Sequence, residues 1–153
     1  MTLKYIIITT KYIFFISTLI FVSFPANSEL SVEEIIKGRK AIFSKNYTTA
    51  KKVQMLVSKG DFEKAKNKMI EMSDNYKSLL KYFPANTKEG FKTEASPAIW
   101  DNKEEFDELM NKSSNDMIEL ASIIDSSENI KGTLGKLMWS NCKACHSKFR
   151  SPH

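Results

Sequence analysis

From Ser31 to Phe149 the apolar residues recur every three or four positions, and no alternating stretch runs longer than a few residues. That period predicts helices and no strands. A first helix opens at Ser31, whose hydroxyl can cap it, with Glu34 as the reciprocal half of a capping box. Its stripe runs through Ile35, Ile36, Phe43, Tyr47, Ala50, Val53 and Val57, and Gly60 ends it in a left-handed cap. Asp61 caps a second helix carrying Phe62, Ala65, Met69, Met72, Tyr76, Leu79 and Phe83, which Pro84 stops. Residues 84–100 make one long connection. A third helix is expected from about Asp101, with Phe106, Met110, Met117 and Leu120 on its stripe. Ser126-Ser127 is expected to break it and cap a fourth, which carries Leu134, Met138, Cys142, Cys145 and Phe149. Four helices of about 20 residues with mostly short links predict an all-α, antiparallel up-and-down four-helix bundle.

The pattern changes before Ser31. Residues 1–28 hold Lys4 and Lys11 and no acidic residue, then an uncharged run from Tyr12 to Val22, then Pro25 and the small-residue exit Ala26-Asn27-Ser28. This reads as a secretory signal peptide cleaved near Ser28/Glu29. The run is short for a membrane anchor, which needs about 20 residues, and lacks the arginines of a mitochondrial presequence. The expectation is therefore a leader over 1–28, a domain over 29–153 and an exported, periplasmic protein. Of 153 residues, 23 are basic and 18 acidic. Losing Lys4 and Lys11 leaves 21 basic against 18 acidic, a net charge of +3, too small and too interspersed to suggest nucleic-acid binding.

The chemistry concentrates in Cys142-Lys143-Ala144-Cys145-His146, which contains both cysteines and the only histidine besides His153. C-x-x-C-H is the attachment sequence of c-type haem. On a helix, the residues at i, i+3 and i+4 share a face. Two thiols can then form thioethers to the vinyl groups along one porphyrin edge, and the imidazole can ligate the iron. A thioredoxin-like redox pair belongs in a βαβ setting, which is not predicted here, and zinc needs four ligands that this chain does not offer.

A leader, a four-helix bundle and a C-x-x-C-H in the last helix resemble the class II cytochromes c, and within them the cytochrome c′ family. The residues that carry the resemblance are Cys142 through Arg150, Ala98-Ile99-Trp100-Asp101 with Phe106, and Arg39-Lys40-Ala41-Ile42-Phe43. The match departs at Lys40, where the family commonly has a polar uncharged residue. The resemblance implies one covalently bound haem c, with Cys142 and Cys145 as attachment points and His146 as the axial iron ligand. In this family the distal position lies four residues after an arginine of the first helix, which is Phe43. A phenyl ring cannot ligate iron, so the expectation is five-coordinate iron with Phe43 as a distal cap. Such a site binds small diatomic gases such as NO or CO, transfers electrons to redox partner proteins, or both. A six-coordinate Met/His electron carrier is the alternative.

Arg39 falls on the apolar face of its helix and needs an anionic partner, such as a haem propionate, unless it snorkels to water. Arg150 would stand beside the proximal imidazole or interact with the helix dipole. Trp100 covers a haem edge or serves as a plain hydrophobic anchor. The five methionines on the stripes read as core filler, with Met55 off-stripe. No distal histidine or acid–base pair suggests an enzyme. Family members often pair through their first two helices, which implies a homodimer.

Overall fold

A computed structural model describes residues 29–151. The leader expected over 1–28, and Pro152 and His153, lie outside the described residues.

The first helix, α1 (Val32–Ser58), begins as its sequence prescribes. The Ser31 hydroxyl accepts from the Glu34 N–H, and the Glu34 carboxylate accepts from the Ser31 N–H at 2.8 Å. At its other end Gly60, with φ of 74°, closes a Schellman motif. The Gly60 N–H donates to Val57 O and the Asp61 N–H to Leu56 O, both at 3.0 Å. Asp61 then caps α2 (Phe62–Leu79) by accepting from the Lys64 N–H. The reversal between the two helices thus takes three residues, Lys59, Gly60 and Asp61, each with a hydrogen-bonding reason.

The third long helix begins differently from the expectation. A separate turn, α3 (Ala98–Asp101), comes first, and the chain breaks at Asn102 before α4 (Lys103–Ile123). The fourth is also re-edited. Its cap is Asn129, whose side chain accepts from the Gly132 N–H at 2.9 Å, and not Ser126-Ser127. It runs as α5 (Ile130–Leu134), a π-helical stretch (Gly135–Trp139) and α6 (Ser140–Phe149). A 3.6-residue pattern does not announce a π turn, and such turns concentrate at functional sites. Here one stands immediately before the cysteine pair.

The fold is a four-helix bundle. Helix α2 packs between α1 and α4. Met69, Met72, Met110, Met117 and Met138 are all within 1% of full burial, as their stripes foretold, and Met55 is 44% exposed. Polar pairs fix the register. Ser73 and Ser114 share a hydrogen bond of 2.7 Å between α2 and α4, and Asn141 donates to Asp116 at 2.8 Å between α6 and α4. Lys112 pairs with the same Asp116 carboxylate.

The long connection is pinned rather than loose. Arg39, 2% exposed, reaches from α1 into it. Its guanidinium donates to Tyr82 O, Thr87 Oγ1, Thr87 O and Thr93 Oγ1 at 2.6 to 3.1 Å. It also lies 4.8 Å from the Phe83 ring centroid and 5.7 Å from that of Trp100. Farther along, a single antiparallel bridge joins Ala95 to Arg150, with Ser96 N–H donating to Phe149 O and Ser151 N–H to Glu94 O. The connection therefore clasps both α1 and the end of α6.

Candidate haem site

Helices α1 and α6 present side chains to one cavity of about 760 Å³, well inside the roughly 300–1,000 Å³ range of small-molecule and cofactor sites. From α1 come Arg39, Phe43, Asn46 and Tyr47, and from α6 come Cys142, Cys145, His146 and Phe149, with Arg150 just past its end. Aromatic rings form a continuous floor. Phe43 meets Phe83 at 6.4 Å between centroids, Phe83 meets Phe106 at 4.7 Å, and Phe106 meets Phe149 at 5.3 Å. Edge-to-face pairs of this kind hold a floor rigid without filling the space above it. At the mouth, Tyr47 of α1 stands edge-on to Trp139 of the π-helical stretch at 6.4 Å.

The cysteines are unpaired and half-buried. Desolvation pushes Cys145 up to about 12 and raises Cys142, the latter partly offset by the Tyr76 hydroxyl. Both therefore remain neutral thiols at physiological pH, and the thiolate needed for disulfide exchange is suppressed. His146 is exposed on its outer side and lines the cavity on its inner side. Burial lowers its basicity first, the nearby Arg150 lowers it further, and Glu94 opposes them. The imidazole is thus neutral near pH 7, the form that ligates a metal. Arg150 itself is held by Glu94, Nη2 to Oε2 at 2.6 Å.

Six of the seven residues singled out from the sequence line this one cavity: Arg39, Phe43, Cys142, Cys145, His146 and Arg150. Trp100 is the exception. It stands behind Phe83 at 6.1 Å, its indole N–H shared between Phe83 O and Pro84 O at 3.2 Å each. It is an anchor for the connection and not part of the cavity wall. The structure also adds residues that the stripes counted only as core, among them Tyr76, Phe83, Phe106 and Met110. Asn46, Asn141 and Glu94 join them without any signal in the hydrophobic pattern, because a polar residue facing a cavity looks like one facing water. Tyr47, placed on the core stripe by its period, is 54% exposed and belongs to the mouth.

Two thiols and an imidazole on one wall, an aromatic floor and a buried amide nitrogen without a partner, Asn46 Nδ2, suit a flat apolar macrocycle with a metal at its centre. Fold and site together define a four-helix-bundle cytochrome of the c type. The comparisons agree. The chain matches the family described as Cytochrome C′ across residues 34–150. It is 31% identical over 121 residues to cytochrome c′ of Rhodopseudomonas palustris, covering 77% of this chain and 82% of that one. The solved structure of cytochrome c′ from the same organism superposes with a TM-score of 0.63 at 29% identity, covering 77% of this chain and 96% of that one. The nitric oxide complex of a mutant cytochrome c′ from Alcaligenes xylosoxidans has a TM-score of 0.68 at 18% identity, covering 81% and 99%. The chain belongs to the cytochrome c′ family, and its cofactor is covalently attached haem c.

Proposed function

We propose that this protein is a periplasmic haem protein that takes up small uncharged gases such as nitric oxide or carbon monoxide at a vacant iron position, with electron transfer as a second role of the same site. Phe43 carries the reading. It lies on the α1 wall of a cavity whose α6 wall bears His146, which supports a reading in which an unreactive ring stands on the side of a sixth ligand. The relative from Alcaligenes xylosoxidans, solved as a nitric oxide complex, supports it.

In this reading Cys142 and Cys145 would hold the macrocycle through thioethers and His146 would ligate the iron. When bound, the group would supply redox-active iron able to take a small ligand. Phe43 would exclude water and large or charged ligands from its side of the cavity, yielding only to small ones. Arg39 spends both N–H groups of Nη1 and both of Nη2 on neutral oxygens of the connection, so it acts as an anchor there. Its charge is not neutralised by them and would act on a cofactor carboxylate at the cavity edge through space, not as a bidentate partner. Arg150, steadied by Glu94, keeps positive charge near the imidazole and disfavours its imidazolate form. We read the protein as a binder and carrier because the groups gathered here hold a cofactor and shape its surroundings. Pairing of two copies through α1 and α2 belongs to the same proposal, supported by Met55 and Ile70, each 44% exposed.

An optical spectrum tests the central point. High-spin ferric and ferrous haem that shifts on adding carbon monoxide is the expected result. A low-spin spectrum with a sulfur-to-iron charge-transfer band would overturn it and point to an electron carrier, with Met110, the one methionine among the cavity residues, as the ligand to examine. Phe43→Met should move the spectrum toward six-coordinate. An unchanged spectrum would mean that α1 residue 43 does not face the iron.

A further inference from the structure

We infer that Asn46 is a hydrogen-bond donor to ligands bound on the distal side, so that this site sorts ligands by polarity as well as by size. The inference rests on the five-coordinate reading above. Asn46 is 3% exposed and lines the cavity. Its Nδ2 is the one buried side-chain polar atom without a hydrogen-bond partner among the described residues. A buried donor left unsatisfied is costly and uncommon, so a natural protein that keeps one has a use for it.

The amide is also aimed. Asn75 of α2 donates its Nδ2 to Asn46 Oδ1 at 2.8 Å, which fixes the Asn46 oxygen toward α2 and leaves the nitrogen as the atom with donor capacity to spare. Asn46 follows Phe43 by three residues, so the two share a helix face with Cβ atoms about 5–6 Å apart. Arg39, where cofactor carboxylates would gather, lies seven residues earlier, about 10 Å along the axis. The distal wall therefore combines an apolar plug with a fixed N–H one turn away. The competing acceptor is the hydroxyl of buried Tyr76, which neighbours both Asn46 and Cys142.

The test uses the ferrous holoprotein with carbon monoxide and infrared detection of the C–O stretch. A donor near the bound ligand draws electron density onto it and lowers that frequency. Asn46→Leu should raise the C–O stretch above the wild-type value and speed nitric oxide dissociation about fivefold, the loss of one modest hydrogen bond. Asn75→Leu frees the amide without touching the cavity, and should broaden or split the C–O band; it decides the matter should Asn46→Leu not fold. A band unchanged in both variants overturns the inference and assigns the Asn46 nitrogen to Tyr76, while leaving the five-coordinate reading intact. Low-spin ferrous haem that takes up no carbon monoxide overturns both, and the spectrum before gas addition tells the two failures apart.

Discussion

The two ends of the bundle use the same four helices for opposite purposes. At one end, Val53 and Val57 of α1, Ala65 and Met69 of α2, Met117 and Leu120 of α4, and Ile124 just past its end bury one another almost completely. At the other, the first half of α1, the last turn of α2, the first half of α4 and α6 stand around a cavity. The closed end uses small and flexible residues, Ala and Met, that interdigitate. The open end uses aromatic rings, which brace one another edge-to-face, and polar side chains such as Arg39, Asn46 and Asn141 that hold fixed hydrogen-bond geometry. A bundle can thus leave room for a cofactor without collapsing into it, because one end supplies the packing that the other gives up.

The sharpest way to separate the ends is to remove the cofactor's attachment. Cys142→Ser with Cys145→Ser should abolish covalent haem entirely, measured by acid–acetone extraction of the haem from the protein. The closed end should still show helical circular dichroism, with stability reduced by the lost ligand. Retention of covalent haem would place its attachment elsewhere.

Next in size, Met117→Ala leaves a cavity at the closed end, where the side chain is fully buried. It should cost about 3 kcal/mol in chemical denaturation while leaving the haem spectrum unchanged. A spectral change of the size seen on substituting Phe43 would show that the two ends are mechanically coupled.

Arg39→Leu should cost about 2 kcal/mol, because Tyr82 O, Thr87 O and both threonine hydroxyls lose a charged donor. Its effect should appear at the open end first, as faster amide exchange in residues 82–93. Burial brings the guanidinium pKa down to about 10, so it stays charged at any physiological pH and this contribution should be flat between pH 5 and 8.

The smallest effect lies outside both ends. Glu71 of α2 is paired with Lys45 of α1 and with Lys68, which hold its carboxyl near 2 against an ordinary 4.5. A depressed carboxylate stabilises the fold above its unfolded pKa and loses that contribution as pH falls from about 4.5 to about 2. The Lys45 side chain is 55% exposed, so screening limits the effect to about 0.5–1 kcal/mol. The stability difference between wild type and Glu71→Gln should vanish across that window, followed by urea denaturation at stepped pH.

How much was legible beforehand differs between the ends for the same reason. At the closed end the hydrophobic period and the caps were enough. Gly60 and Asp61 act as their chemistry dictates, and Met69 and Met117 are buried on their stripes. At the open end the pattern misled where polarity and burial part company. Tyr47 has the period of a core residue yet stands at the mouth, and Asn46 looks like a surface residue yet is buried. Trp100 reads from the sequence either as a cover of the haem edge or as an anchor, and only the packing behind Phe83 selects the anchor. The fourth helix takes its cap from Asn129 because only there does a side-chain oxygen meet a free N–H in register.

The sequence alone determined the helical class, both ends of α1, the start of α2 and the shared face of Cys142, Cys145 and His146, since spacing and local periodicity need no long-range partner. It ran α2 on to Pro84, whereas the helix ends at Leu79 and tightens into a 3-10 turn over Leu80–Tyr82. Only the tertiary structure decided that Phe43 and Asn46 lie on the wall of the cavity that holds His146, and that Arg39 is spent on a loop more than 40 residues away. Those facts depend on how distant helices pack, and packing is a property of surfaces in contact that no single stretch of sequence contains.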